Sequence, residues 1–526
     1  MKTLKYIIVA SAFTGFISCN TIEEVDITPV IEVAELEEIN AGDTDFSNYV
    51  ALGASFTAGF SDGALFRITQ ENSFPKLLSN QFGLAGGTEF TQPLMDDNTG
   101  GFQDIPTSQI AYRLIFNGSG PQRLDAFLAS MGAPVPAAAT SPANLGSTFN
   151  NVGVPGAKSY QMTFPGYGNF NPYYGRFATS AGATMLGDAA AQNPTFFTLS
   201  EIGGNDVLSY ATSGGVGEDQ TGNPDASTYS QLDITDPGLF AQVFQGMVQQ
   251  LTANGARGAV ANLPNITDLP FFTTVPNNAL VLDAGTAANL TGFFQALTGI
   301  FTGGLIQQGV MPADAQALAA QYAITFQEGE NRFLIDVPVT PTNPLGFRQM
   351  TENELLLLPI DRAALAQGYG SVVLTPEVLQ VLGLLQQGGM PTPEQAGLVL
   401  AAVSGIDDQD ALDTDELLNI QTATDAYNET IESVTTAAGL AFVDLKSVLE
   451  DAKTSGIRTG DLTLTANLVT GGLASLDGIH LTSRGYAVMA NEFLKAIDTT
   501  YGTNFEASGS LIDVIDLPTN YSPSLQ

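Results

Sequence analysis

Tryptophan is absent from the 526 residues, and cysteine and histidine occur once each. One thiol and one imidazole cannot build the Cys/His ligand sets of zinc, haem or iron–sulfur sites. Only an all-oxygen cation site stays open, and no metal or cofactor is expected. Basic residues are also scarce: 17 Lys+Arg stand against 54 Asp+Glu, a formal net charge of −37. A polyanion would be repelled, so nucleic acid is not expected as a partner. Charged residues make up 13% in all, about half the usual share, while hydrophobic residues at 44% have a globular value. No long run of one sign occurs, so the acidity reads as a solvated surface. After the first twenty residues no segment is apolar enough to span a membrane.

The N-terminus reads "MKTLKYIIVASAFTGFISCN". Lys2 and Lys5 precede an apolar run from Tyr6 to Ile17, too short for a permanent membrane helix. Residues 1–18 read as a secretory signal. Cys19 directly after the cut resembles a bacterial lipoprotein lipobox, with Phe16 an unusual residue there. The resemblance implies that Cys19 is lipidated and anchors the mature chain to a membrane. Asn20 and Glu23-Glu24 resemble export-to-surface signals of some lipoproteins, which points to the outer membrane and the cell surface, with the periplasmic face as the alternative. Residues 19–46 are acidic without a clear period and read as a tether.

Four short stretches then carry the chemistry. In "NYVALGASFTAGF" a strand-like run, Tyr49 to Leu52, ends in Gly53 and is followed by Ser55. Open α/β sheets place their sites at such C-terminal strand edges. In "FNNVGVPGAKS" a strand over Thr148 to Val152 leads to Gly156, whose backbone N–H can approach a ligand closely. In "PTFFTLSEIGGNDVL" a strand over Thr195 to Ile202 leads to Asn205, an amide donor at a strand end. The last, "SLDGIHLTSRGY", holds the only histidine, His480, three residues after Asp477. Taken singly, each is an ordinary strand–turn junction, and a lone histidine is usually a surface or satisfied core residue.

Their order changes the reading. Ser, Gly, Asn and Asp-x-x-His, in that sequence, resemble the GDSL or SGNH hydrolase family. The resemblance implies a flavodoxin-like, three-layer α/β fold with a parallel central sheet. It implies Ser55 as nucleophile, His480 as base and Asp477 as its orienting carboxylate. It gives the oxyanion hole as the N–H of Ser55, the N–H of Gly156 and the amide of Asn205. The family's Gly-Asp-Ser is Gly53-Ala54-Ser55 here, so the hydrogen bonding of that turn must differ. The implied activity is hydrolysis of carboxylic esters, with a glycan deacetylase as the rival on the same fold. A non-catalytic surface lipoprotein that binds ligands is the rival of another class.

The hydrolase core is expected over 47–269 and 415–505, with 506–526 as a tail. Helices are expected over 239–255, 415–439 and from Ser483 onward, with strands at 257–263 and 440–445. The acidic run "DDQDALDTDE" lacks an EF-hand's spacing and reads as a loop leading to a helix capped by Asp413, with Glu416 at N3. Residues 270–414 break the helix–strand alternation and read as a mostly helical cap. It holds an echo, "LIQQGVMPADAQA" (305–317) and "LLQQGGMPTPEQA" (384–396), read as two helical hairpins with stops at Gly309 and Gly388 and new helices at Pro312 and Pro391. A β-hairpin is expected to turn at Gly329. In "GFFQALTGIF", Phe293, Phe294, Leu297, Ile300 and Phe301 share one helix face. That face is either core of the cap or an acyl-chain groove, with Gly303-Gly304 as a pivot. Abundant Phe without Trp favours an apolar ligand over a sugar.

Overall fold

The computed structural model describes residues 36–525. The signal segment, Cys19 and most of the tether lie outside that range. Five short strands form the central sheet: β1 (Tyr49–Gly53), β2 (Asn151–Gly153), β3 (Phe196–Leu199), β4 (Arg257–Ala261) and β5 (Ala441–Val443). All pairings are parallel and the spatial order is 2-1-3-4-5, the doubly wound order with its switch point between β1 and β3. Register is set by pairs such as Leu52 with Val152 and Val50 with Phe197. A parallel strand covered on both faces reads as a continuous apolar run, and every residue of β1 and β3 is buried.

Helices cover the sheet, an arrangement consistent with three layers. Helix α1 (Ser55–Ala58) is a single turn after β1, and α2 (Phe74–Leu84) follows it. Then come α3 (Gly204–Thr212), α4 (Pro237–Thr252), α5 (Pro270–Thr273), the cap helices α6 (Ala284–Gln307), α7 (Pro312–Ala319), α8 (Pro376–Gln386) and α9 (Pro393–Leu400), α10 (Thr414–Ala437) and α11 (Ser483–Tyr501). Helix α11 packs on α2 through stacked Phe493 and Phe74, and α4 packs on α10 through Phe240 and Tyr427, with ring centroids 4.2 Å apart. Helix α10 opens with the expected capping box: Asp413 accepts from the N–H of Glu416, and the Glu416 carboxylate accepts from the N–H of Asp413.

The ends of the chain pack more tightly than their sequence indicated. The last part of the assigned tether is not free: Asp43 N–H bonds the Tyr501 carbonyl, and Phe46 stacks on Phe82 inside the core. The tail is held as well. The buried Arg113 guanidinium donates to the carbonyls of Tyr521, Ser522 and Leu525, and Arg484 donates to that of Leu517. One aromatic residue outweighs a stretch of acidic ones when a core site receives it.

The cap has its own small core. Both helical hairpins form, with Gly309 and Gly388 in the left-handed region at their turns. Pro312 opens α7 as expected. Pro391 does not open α9: Thr392 is the cap and Pro393 the first helical residue, because only the Thr side chain can accept the Gln395 N–H. The hairpin at Gly329 is replaced by two separate antiparallel pairs. Gly329–Asn331 pairs with Leu280–Leu282, and Leu334–Asp336 pairs with Phe347–Gln349. Asn331 explains the divergence, since its side chain bonds Gln327 N–H and the carbonyls of Gln327 and Gly329 and closes the loop on itself. Two further ribbons make the cap less purely helical than expected.

The groove reading of the Phe face is overturned. Phe293, Phe294 and Leu297 are fully buried against Tyr322, Phe326 and Phe347, while Ile300 and Phe301 are partly buried on the same cluster. The helix also runs unbroken through Gly303-Gly304. Its wide apolar face is what a helix needs when partners cover more than one side.

Candidate active site

Strand β1 delivers Ser55 to the C-terminal edge of the sheet at the switch point, where the crevice of such sheets lies. Gly53 must be glycine: a Cβ there would stand 2.1 Å from Thr57 Oγ1 and 2.8 Å from the Ser200 carbonyl. Ser55 then opens the single-turn α1 and is 7% exposed.

Gly156 lies beyond β2 at φ +78°, left-handed and exposed, with no atom within 4 Å of where a Cβ would be. Its N–H can therefore be approached. Asn205, in the first turn of α3 beyond β3, donates from Nδ2 to the Ala157 carbonyl at 3.0 Å. That bond ties the Gly156 loop to α3 and leaves the second amide hydrogen for a ligand. Asp206 doubles the tie, accepting from Ser159 N–H at 2.8 Å and Ser159 Oγ at 2.6 Å. Sequence reasoning passed over Asp206, although its adjacency to Asn205 was a usable signal.

The Asp-x-x-His turn is as expected. His480 Nδ1 and Asp477 Oδ2 are 2.8 Å apart, and each side chain is 12% exposed. Asp477 Oδ1 also accepts from the N–H groups of Ile479 and His480 and from Ser475 Oγ, and Oδ2 accepts from Gly63 N–H. Burial works to raise Asp477, but the neighbouring imidazole and these hydrogen bonds outweigh it and hold the carboxyl well below the usual carboxylate range. The His480 ring lies beside Phe56 and Phe60, with centroids 5.6 and 4.6 Å away. Ser55 and His480 thus sit on packed neighbouring segments. No hydrogen bond joins them, and none among the described residues engages His480 Nε2. Such bonds often tighten only when substrate is bound.

Two residues that sequence reasoning missed hold this arrangement. Asp62, at φ +51°, accepts from Leu476 N–H at 2.9 Å and bonds Ser475 Oγ through its own N–H at 3.0 Å. Burial pushes its carboxyl up to about 7. Glu201 Oε1 accepts from the N–H groups of Ala54 and Thr57, at 2.6 and 2.8 Å. The cap reaches the site through α5, where Phe271 N–H bonds the Gly478 carbonyl at 3.0 Å.

Comparison with family models, with curated proteins and with solved structures returned no match. Function therefore rests on the site itself. Among the described residues, no group of three or more His, Cys, Asp or Glu side chains is placed to hold a metal ion. The cavities of about 540, 650 and 780 Å³ do not contain the chemistry. The first two are lined by cap residues, such as Arg332 and Gln349 in one and Leu290 and Phe333 in the other, and the third by core residues such as Leu440 and Lys495. Ser55 and His480 line none of them.

Proposed function

We propose that the chain is a serine hydrolase of carboxylic esters, of the GDSL/SGNH type, with Ser55, His480 and Asp477 as its triad. The observation that carries this reading is the Asp477–His480 pair, bonded at 2.8 Å and packed beside the Ser55 turn at the sheet's switch point. A serine hydroxyl needs an adjacent base to become a nucleophile. With Nδ1–H donating to Asp477, Nε2 keeps the lone pair that takes the Ser55 proton as Oγ attacks the ester carbonyl. The tetrahedral oxyanion is received by the N–H groups of Ser55 and Gly156 and the free amide hydrogen of Asn205. His480 then gives its proton to the leaving alcohol, an acyl-enzyme forms, and water reverses the sequence.

Phe56 and Phe60 beside His480 give the site an apolar flank, which supports an apolar acyl group over a sugar. The test is a hydrolysis panel of acetyl, butanoyl, hexanoyl and octanoyl esters with acetylated sugars. Each buried CH₂ adds about 0.8 kcal/mol, so kcat/KM should rise roughly fourfold or less per methylene from acetyl upward. Phe294→Ala should lower cap stability by about 3–5 kcal/mol and leave that chain-length dependence as it is. Acetylated sugars as the best substrates would put the deacetylase reading in its place.

The anchor belongs to the same proposal. A lipid on Cys19 would hold the enzyme at the outer membrane, at the cell surface. Cys19→Ser is expected to release the protein from the membrane fraction with its esterase activity intact. Resistance of the native protein to proteases added to whole cells would favour the periplasmic face.

A further inference from the structure

The Ser55 turn lacks a carboxylate of its own, because position 54 is alanine. A carboxyl group reaches it from the end of another strand. Glu201 Oε1 accepts the two backbone N–H groups that bracket Ser55, those of Ala54 at 2.6 Å and Thr57 at 2.8 Å. Three features are fitted to this contact. Ala54 is fully buried and ends at Cβ. A Cβ on Gly53 would stand 2.9 Å from Glu201 Oε1. Glu201 itself is held at φ +49°, a left-handed conformation that persists in a non-glycine residue only where its surroundings fix it.

The other carboxyl oxygen is as informative. Glu201 Oε2 is buried and has no hydrogen-bond partner among the described residues, and the same is true of the nearby Thr57 Oγ1 and Ser200 Oγ. No Lys or Arg among the described residues pairs with it. The titratable groups that feel its charge are the phenols of Tyr49 on β1 and Tyr486 on α11, both pushed up by their own burial. A buried carboxylate with no cation and an unpartnered oxygen is costly, whereas a neutral acid can donate from Oε2 to a hydroxyl while Oε1 keeps both N–H groups. Burial pushes this carboxyl up to about 7, against the nearby Ser200 hydroxyl and the N–H groups of Thr57 and Ala54, which work to lower it.

We propose that Glu201 is the positioning residue for Ser55, anchoring the nucleophile turn as a neutral acid so that no negative charge faces the oxyanion. This rests on the esterase reading for its consequence in catalysis, although the protonation state can be read without an ester. The test compares wild type with Glu201→Gln and Glu201→Ala from pH 5 to 8. Gln keeps an acceptor oxygen and cannot ionise, so it should rescue kcat to within about threefold at pH 6. Ala removes the acceptor and should lose about 100-fold in kcat, with KM within about threefold, as expected when a nucleophile is misplaced by a fraction of an ångström. Wild type should lose ground to the Gln variant as pH rises from 6 to 8, because only wild type acquires the opposing charge.

Unfolding midpoints supply the catalysis-independent readout. The folded-state value lies above the ordinary 4.5 of a free glutamate carboxyl, so the native state holds the extra proton between about 4.5 and 7. Wild-type stability should therefore fall relative to the Gln variant as pH rises through that window. A difference that stays flat with pH overturns the neutral acid. An Ala variant as active as wild type overturns the positioning role. Wild type inactive on every ester, with the stability difference still sloping, would remove the esterase reading and keep the neutral acid.

Discussion

Ser55→Ala is expected to lower kcat at least ~10³-fold while the protein stays folded. The side chain lost is one hydroxyl at the mouth of the sheet, 7% exposed and bonded to no group among the described residues, so its removal leaves no buried partner there unsatisfied. On the proposed mechanism, what disappears is the atom that forms the acyl-enzyme. Residual turnover would come from the Gly156 and Asn205 donors acting on an attacking water. An organophosphate should label wild type once, on Ser55, and fail to label the variant. Mass mapping of the label to another serine would remove the whole assignment.

Asp477→Asn should cost about 10⁴-fold in kcat without unfolding the chain. Asp477 Oδ1 takes three hydrogen bonds, so the amide oxygen of Asn will settle there. That leaves the NH₂ where Oδ2 now accepts from Gly63 N–H and faces His480 Nδ1 at 2.8 Å. Donor would then meet donor, and the imidazole must move its proton to Nε2, the nitrogen needed as base. The stability effect has a definite sign. A carboxyl held below its unfolded value stabilises the fold above the ordinary carboxylate range and loses that contribution as pH falls through it. Wild type and the Asn variant should therefore converge in stability on acidification. A loss in kcat below tenfold would show that Asp477 does not set the tautomer.

Much of the site was legible because it is made of local pieces. Ser55, Gly156 and Asn205 each follow a buried strand, and apolar runs reveal such strands whatever surrounds them. Asp477 and His480 share one turn, and the Asp413–Glu416 box lies within four residues. The rest depended on contacts that leave no local trace. Glu201 meets Ala54 across 147 positions, and its only sequence sign was a carboxylate missing from the other side. The Phe293–Phe301 pattern gave the width of an apolar face but not what covers it, so cap core and groove looked alike. Phe46 and Tyr521 lay in polar stretches, and their burial depends on pockets formed by Phe82 and Phe66 far along the chain.

The link from Gly63 N–H to the Asp477 carboxylate spans 414 residues, and Arg113 beside it is clasped by Tyr521, Ser522 and Leu525. A ribosome adding about 5–20 residues per second takes roughly 20 to 80 s to cover that interval. Through all of it Ser55, the proposed nucleophile, exists without His480, its proposed base. The sheet can gain β1, β2, β3 and β4 in order of emergence, yet the imidazole and the brace for its turn come only with the closing stretch. On the proposed mechanism, a chain that stops before Asp477 would carry Ser55, Gly156 and Asn205 and still be unable to attack an ester. If the proposed triad holds, the attacking group waits on the turn at residues 477–480, and synthesis past that turn is what would arm it.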